Sequence, residues 1–265
     1  MRVTLTLGWF TFRDLARQGT TLAVLFAVAA WIAFTQFLPM FLGDEESELR
    51  LVTDIGLASI LLGGLAVALL PAASALSDET DARTAVTLLS KPVTRRAFFQ
   101  GKFLGILETL LLCVSVWGLV LLWTVQHKAA AIRSVWEEAP PPPFWNSDVA
   151  QGAALMGAQA ALAAAAALAL SNALPTTVNL AASVALVAAG YLSGPLARSA
   201  GIPPGGAADA ARGLFPDFQL FNLSDAIAAG TPIPPAYTAW TLAYATALSA
   251  AILAAGTWWF ARRDI

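Results

Sequence analysis

The chain has 265 residues, of which 58% are hydrophobic and only 12% are charged. An ordinary soluble domain carries about 25% charged residues, so one soluble core of this length could not bury so much apolar surface. The net charge of -2 offers no basic surface for nucleic acid, and the single Cys113 excludes an internal disulfide and a cysteine-cluster metal site. Because the apolar residues come in long runs, the composition indicates an integral membrane protein.

Six apolar runs are long enough to cross a bilayer. A spanning helix needs about 20 mostly apolar residues, because the hydrocarbon core is about 30 Å thick and each residue rises about 1.5 Å. The fourth run is nearly poly-alanine, and four residues ending in Pro175 separate it from the fifth, which predicts an antiparallel hairpin. The sequence therefore predicts an all-α integral membrane fold with one transmembrane domain over residues 1–265. The predicted spans are residues 20–42, 54–77, 98–125, 151–171, 176–197 and 236–261.

Small residues in two of these spans allow a second inference. Gly63 and Gly64 lie in the second span, and alanines fill much of the fourth. Small residues let helices approach closely in a membrane, although they can also simply face lipid. The sequence leaves these two interpretations open.

Residues 1–18 are expected to form an amphipathic helix at the membrane surface, ahead of the first span. An apolar stripe with arginines beside it is typical of an interfacial helix whose basic side chains reach the headgroups. A positively charged lead-in to the first span is the alternative. The stripe consists of Leu5, Trp9, Phe12 and Ala16, and the flanking arginines are Arg2, Arg13 and Arg17.

The distribution of basic residues predicts the orientation. With the N-terminus in the cytoplasm, ten Lys and Arg residues fall on the inner side and five on the outer side, as the positive-inside rule favours. An even number of spans returns the C-terminus to the cytoplasm, so both termini are predicted to be cytoplasmic. The inner set is Arg2, Arg13, Arg17, Arg83, Lys91, Arg95, Arg96, Lys102, Arg262 and Arg263; the outer set is Arg50, Lys128, Arg133, Arg198 and Arg212.

Two longer outer loops are predicted. Residues 126–150 begin with a short helical stretch, and four prolines at 140–143 then predict a stiff polyproline spacer. Residues 198–235 are rich in Gly and Pro, and their middle part, 214–228, is apolar enough to lie at or dip into the membrane interface. The inner loop between the second and third spans covers residues 78–97.

The sequence from Asp78 to Lys102, DETDARTAVTLLSKPVTRRAFFQGK, holds the densest cluster of charges in the chain. Asp78 is suited to cap a short helix, and Lys91-Pro92 would end it. Such a short amphipathic helix in the cytoplasm is suited to docking on a soluble partner. A solvated loop whose charges only fix the topology is the alternative that these residues leave open.

This stretch resembles the first cytoplasmic loop of ABC-2 type transporter permeases. Their pattern is an acidic residue, a Thr five positions later, a leucine pair, Lys-Pro-Val-Ser/Thr-Arg, and Gly-Lys where the next span begins. The segment LFPDFQLFN at residues 214–222 is similar to the outer segment of that family, and the small permeases grouped with multi-copper enzyme maturation and nitrous oxide reductase assembly are the most similar members. Arg83 departs from the Gly that many members have, and the proline-rich outer loop has no counterpart in the pattern. The matching positions are Glu79, Thr84, Leu88-Leu89, Lys91-Pro92-Val93-Thr94-Arg95 and Gly101-Lys102.

The resemblance implies that the loop is a coupling helix that inserts into a groove on a separate ATPase subunit. That ATPase would bind ATP and magnesium, and two permease subunits, identical or different, would move against each other in a bacterial inner membrane. Direction follows from the family, which consists mostly of exporters. The implied coupling residues are Glu79, Arg83, Thr84, Leu88, Leu89, Lys91, Pro92 and Arg95, and the residues implied to brace them are Trp9, Phe12 and Arg13.

Residues for catalysis, cofactor binding or metal binding are not predicted in this chain. The glycine-rich GIPPGG at residues 201–206 lacks the Lys-Ser/Thr of a phosphate-binding loop, so ATP hydrolysis would belong to another chain. The single His127 lies at a membrane edge, where a structural role is the simpler interpretation, and Cys113 is expected to be inert packing within a span.

Glu108 is the candidate polar site within the membrane. It follows Lys102 by six residues, which places it about 9 Å deeper along a helix. Because an ionisable residue within a span is costly, it suggests a function, such as pairing with a basic side chain or lining a path between subunits. A glutamate that reaches back to the cytoplasmic surface is the alternative.

The leading functional hypothesis is therefore a permease subunit of an ATP-driven transporter. The alternative is a membrane scaffold or assembly subunit that holds an extracytoplasmic partner and moves no substrate. An intramembrane enzyme is disfavoured by the scarcity of ionisable residues in the spans. An ion-coupled carrier is disfavoured by the lack of clear internal repeats and of polar residues at the midplane.

Overall fold

The computed structural model describes residues 2–41, 45–75, 94–136, 147–199, 216–228 and 231–262. These residues are almost entirely helical, and no strand occurs among them. Two 3-10 helices accompany the α-helices, at Thr35–Phe41 and Phe218–Phe221. The α-helices are α1 (Arg2–Arg17), α2 (Gly19–Phe34), α3 (Glu45–Ser74), α4 (Arg95–Trp136), α5 (Ser147–Leu170), α6 (Thr176–Ser199), α7 (Ser224–Ala228) and α8 (Pro235–Arg262).

Helix α5 lies at the centre of the bundle and packs against α3, α4 and α8. Most of its alanines from Ala160 to Ala167 are buried rather than exposed to lipid, because neighbouring helices cover them. Gly64 of α3 faces Ala160, where an added methyl group would lie 3.2 Å from the alanine Cβ. The small residues of the second and fourth spans therefore serve close helix packing, which decides between the two interpretations that the sequence left open.

Trp117 joins α4 to the first span. Its side chain is fully buried, and its indole N–H donates a hydrogen bond to the Leu25 carbonyl of α2 at 2.9 Å. The ring also fills the space beside Gly63 of α3. A buried indole needs such an acceptor, and here the backbone of a neighbouring span supplies it.

The bundle has two ends with different contents. The α1 end holds α1, the starts of α2, α4 and α6, and the final turns of α3, α5 and α8; there the Asn172 amide donates to the Gly256 carbonyl at 3.3 Å. The α7 end holds α7, the starts of α3, α5 and α8, and the end of α4. Lys128 Nζ and Glu48 Oε2 lie 2.7 Å apart there, and the Ile233 N–H donates to Asp148 at 3.3 Å.

In the part of the chain that the structure describes, five helices are long and apolar enough to cross a membrane: Gly19–Leu38, Glu48–Ser74, Arg96–Ala131, Ser147–Leu170 and Pro235–Trp259. The fifth predicted span corresponds to α6, whose apolar part among the described residues, Thr176–Leu192, is shorter. The chain is thus a multi-pass membrane protein with an all-helical fold, and the sixth span stays a prediction.

Two spans extend farther than the sequence predicted. Helix α3 begins at Glu45, nine residues before the predicted start, because its first turns are polar and carry no hydropathy signal. Helix α4 has 42 residues and is about 63 Å long, so it runs well beyond the hydrocarbon core. The helical stretch predicted in the outer loop after residue 126 is the last part of α4, and the polyproline segment lies outside the described residues.

Candidate functional site

The predicted coupling residues lie mostly outside the described part of the chain. This applies to Glu79, Arg83, Thr84, Leu88, Leu89, Lys91 and Pro92, while Arg95 begins α4 and its side chain is not described. The structure places the two flanks of this loop, Ala75 directly after α3 and Thr94 directly before α4, at the α1 end of the bundle.

Thr94 starts helix α4. Its side-chain oxygen accepts a hydrogen bond from the Ala97 N–H at 3.3 Å, and its carbonyl accepts the first helical bond from Phe98. This is an N-cap, a position that favours Ser and Thr because a short hydroxyl side chain satisfies a backbone N–H that has no helical partner. The Ser/Thr position of the Lys-Pro-Val-Ser/Thr-Arg motif is therefore the N-cap of α4 in this chain.

Glycines form the contact between α1 and α4. A methyl group at Gly101 would lie 2.6 Å from the Leu7 Cβ, and one at Gly105 would lie 2.7 Å from the Gly8 carbonyl oxygen. The two helices run in the same direction, because Gly101 faces Leu7 and Gly105, four residues later, faces Thr11. The spacing Gly-x-x-x-Gly lets α1 lie directly against α4.

The predicted brace residues lie on an outward part of α1. Trp9 is 57% exposed, its ring lies 5.5 Å from the Phe12 ring, and Arg13 is exposed. Leu5 of the predicted stripe is also exposed, while the side that carries Gly8 is buried against α4. Helix α1 therefore presents apolar surface on two sides. Contact between Trp9, Phe12 or Arg13 and the coupling loop stays a prediction.

Glu108 is half-buried in α4, and its Oε2 atom is shielded from solvent. Among the described residues this atom has no hydrogen-bond partner. The described part of the chain also brings together no group of three His, Cys, Asp or Glu side chains that could hold a metal ion. The role of Glu108 within the membrane stays a prediction.

The segment at residues 216–228 fills the α7 end of the bundle. Phe218 and Phe221 are fully buried and belong to the main hydrophobic core. Their rings form a continuous row with Tyr191 and Tyr244, with successive centroids 6.1 to 6.4 Å apart. The sequence predicted that residues 214–228 lie at or dip into the interface, and the structure places Phe218 and Phe221 of this segment inside the helical bundle.

Hydrogen bonds link this segment to α6 and, through Tyr191, to α5. The Gln219 side-chain amide donates to the Tyr191 carbonyl at 2.9 Å, and the Tyr191 hydroxyl donates to Gln159 Oε1 at 2.8 Å. Gln159 is fully buried in the middle of α5. Sequence reasoning missed this residue, although a polar amide in the middle of an alanine-rich span is a detectable signal.

Sequence reasoning also missed Asn179. Its amide donates to the Ala73 carbonyl of α3 at 3.3 Å and to the Ala167 carbonyl of α5 at 2.9 Å, while its Oδ1 accepts from Ser183 at 3.2 Å. It thus satisfies carbonyls near the ends of two helices and joins both to α6.

The family model described as ABC-2 family transporter protein matches residues 8–265. The chain belongs to this family. The matched residues include the motif that contains Thr94 and the buried aromatic segment at the opposite end of the bundle. No curated protein matches the chain.

This membership makes the chain an ABC-2 type permease, a membrane component of an ABC transporter. It also implies an ABC ATPase as the partner class. The similarity to permeases of multi-copper enzyme maturation and nitrous oxide reductase assembly stays a prediction.

Proposed function

We propose that this permease couples ATP hydrolysis by a separate ATPase subunit to export of a substrate, or to movement of an outer partner. It has six spans, both termini lie in the cytoplasm of a bacterial cell, and residues 78–97 dock on the ATPase. The family match over residues 8–265 carries the proposal. The motif between α3 and α4, at the same end as α1, supports the assignment of that end to the ATPase.

The packing of α1 adds a physical argument. Because Gly101 and Gly105 let α1 lie directly on α4, a force applied where the loop meets Thr94 reaches α1 and the third span together. Helix α4 continues to Trp136, so the same rigid element reaches the opposite end of the bundle. A movement at the loop would therefore be transmitted along the whole length of the permease.

Copurification and ATPase assays test the proposal. A detergent-solubilised complex is expected to contain an ATPase with a phosphate-binding loop. Leu88→Ala or Glu79→Ala is expected to lower its permease-dependent ATP hydrolysis about tenfold, because a few anchor residues carry most of an interface's binding energy. Glu46→Ala, an acid at the other end of the bundle, is the matched control and is expected to retain activity.

A complex that never contains such an ATPase would contradict the proposal. Transport into inside-out proteoliposomes separates it from the scaffold alternative, since an assembly subunit without a substrate moves no compound when ATP is added. Uptake into such vesicles on ATP addition also fixes the direction as export.

A further inference from the structure

We infer that the groove between α4, α5 and α8 binds an uncharged, lipid-soluble molecule that carries a carbonyl oxygen within an apolar body. The groove has a volume of about 830 Å³. Sites for small molecules commonly have volumes of about 300–1,000 Å³. The described lining residues all lie within the membrane-spanning parts of the three helices, so a ligand would enter from the lipid.

Small residues of α5 leave the space that becomes the groove. Helices α4 and α8 both pack on α5. The described α5 residues along the groove are all alanine or glycine, so no α5 side chain larger than a methyl group projects into the gap. They are Ala150, Ala153, Ala154, Gly157, Ala158 and Ala161. By itself such a surface would accept a lipid chain or another helix without preference.

Polar groups in the lining narrow the choice of ligand. The described lining contains no charged side chain. Because a charge without a partner is costly in the hydrocarbon core, the groove favours an uncharged molecule. Three hydroxyl side chains line it, those of Ser115, Thr246 and Ser249.

Two of these hydroxyls are already used by their own helices. The Ser115 hydroxyl donates to the Leu111 carbonyl at 2.7 Å. The Thr246 hydroxyl donates to the Leu242 carbonyl at 3.0 Å. Both side chains therefore add little polarity to the groove.

Ser249 differs from these two residues. It is only 8% exposed and lines the groove, yet its hydroxyl makes no hydrogen bond within the part of the chain that the structure describes. The hydrocarbon core supplies no water to take its place. An acceptor on a ligand in the groove would satisfy this O–H group, and a carbonyl accepts without bringing a donor that needs its own partner.

The position of Ser249 indicates where the ligand carries its carbonyl. Ser249 lies near the middle of α8, and apolar lining continues from it to Leu242 in one direction and to Leu253 in the other. The carbonyl would therefore be flanked by apolar groups on both sides. A phospholipid does not fit this requirement, because its ester groups lie beside the headgroup, about 15 Å from the middle of the bilayer. A helix of a second permease subunit does not fit it either, since its backbone carbonyls already accept within that helix.

Photolabelling of the full chain in dodecyl maltoside tests this inference. The probe is benzophenone, an uncharged diaryl ketone that attaches to nearby C–H groups under ultraviolet light. Mass spectrometry is expected to locate the label in residues 103–122, 150–161 and 242–253. Ser249→Ala is expected to raise the benzophenone concentration for half-maximal labelling about fivefold, because one hydrogen bond is lost. Ser115→Ala is the matched control and should leave it unchanged, since that hydroxyl is bonded to its own helix.

A competitor and a second variant separate the hydrogen bond from the apolar contacts. Diphenylmethane has a CH2 group in place of the carbonyl, so it should compete equally well in the unchanged chain and in Ser249→Ala. Ala154→Leu fills part of the groove at an exposed position and should lower labelling of the groove at least fivefold. Ala185→Leu adds the same bulk at an exposed position of α6 outside the groove and should not.

Three results would overturn the inference. The first is label spread evenly over the lipid-facing helices, and the second is an equal half-maximal concentration for the unchanged chain and Ser249→Ala. The third is a dimer in detergent that Ala154→Leu converts to a monomer, because a second permease subunit would then fill the groove. These measurements need no ATPase, so their outcome is independent of the proposed coupling.

Discussion

The two ends of this permease are held together by different kinds of contact. At the α7 end, large aromatic side chains and hydrogen bonds attach residues 216–228 to the bundle, and the Lys128–Glu48 ion pair joins α4 to α3. At the α1 end, glycines let α1 lie closely against α4. Aromatic packing fixes a segment by filling space, whereas a glycine contact depends on the absence of side chains. The first is therefore vulnerable to truncation and the second to enlargement.

The largest expected effect comes from truncation at the α7 end. Phe218→Ala should destabilise the protein by about 3–5 kcal/mol, because it removes a fully buried ring from the core and leaves a cavity. Unfolding in mixed detergent micelles, followed by circular dichroism, measures the change. Leu220→Ala in the same turn is the matched control, since its side chain is 38% exposed, and it should cost under half as much. Equal losses for the two variants would show that the aromatic row is not what holds this end.

Enlargement at the α1 end should have the next largest effect. Gly105→Ala is expected to cost about 1–3 kcal/mol, because the added methyl group would lie 2.7 Å from the Gly8 carbonyl oxygen and would push α1 away from α4. Gly19→Ala is the matched control, because nothing lies within 4 Å of a methyl group there. The same unfolding assay applies. If both alanine variants are equally stable, the close contact between the two helices does not contribute to stability.

The ion pair at the α7 end should contribute least. A double-mutant cycle with Glu48→Gln and Lys128→Gln is expected to give a coupling energy of about 1 kcal/mol or less, since single ion pairs near a surface contribute little. The coupling should fall further when salt is raised. A coupling energy larger than the loss of stability caused by Phe218→Ala would reverse the proposed ranking of contacts at this end.

Much of the fold was predictable because membrane spans leave a strong signal. Runs of about 20 apolar residues located the helices to within a few residues in most cases, and Pro175 correctly marked the turn before α6. Helix starts were less accurate where the first turns are polar, as at Glu45. The motif with Thr94 led to the family, but neither the cap that Thr94 forms nor the close packing at Gly101 was predicted.

The candidate site was predictable only in part. Gln159 and Asn179 were missed because single amides hardly change the hydropathy of a span, yet each joins separate helices by hydrogen bonds. Trp9 and Phe12 were placed correctly on a helix, but the side of α1 that packs on α4 contains small residues and gave no apolar stripe. Hydrophobic periodicity detects large apolar side chains and does not detect helix contacts made by glycine.

The sequence by itself determined that this is a membrane protein made of helices, where most of those helices lie and to which family it belongs. Its run lengths and one ordered motif were sufficient because a bilayer demands long apolar helices. Only the tertiary structure decided that Phe218 and Phe221 enter the core, that α1 lies against the third span and that a groove forms between α4, α5 and α8. In lipid, every face of a span is apolar, so hydropathy cannot select the face that packs; the fit of side-chain shapes and the pairing of polar groups make that choice.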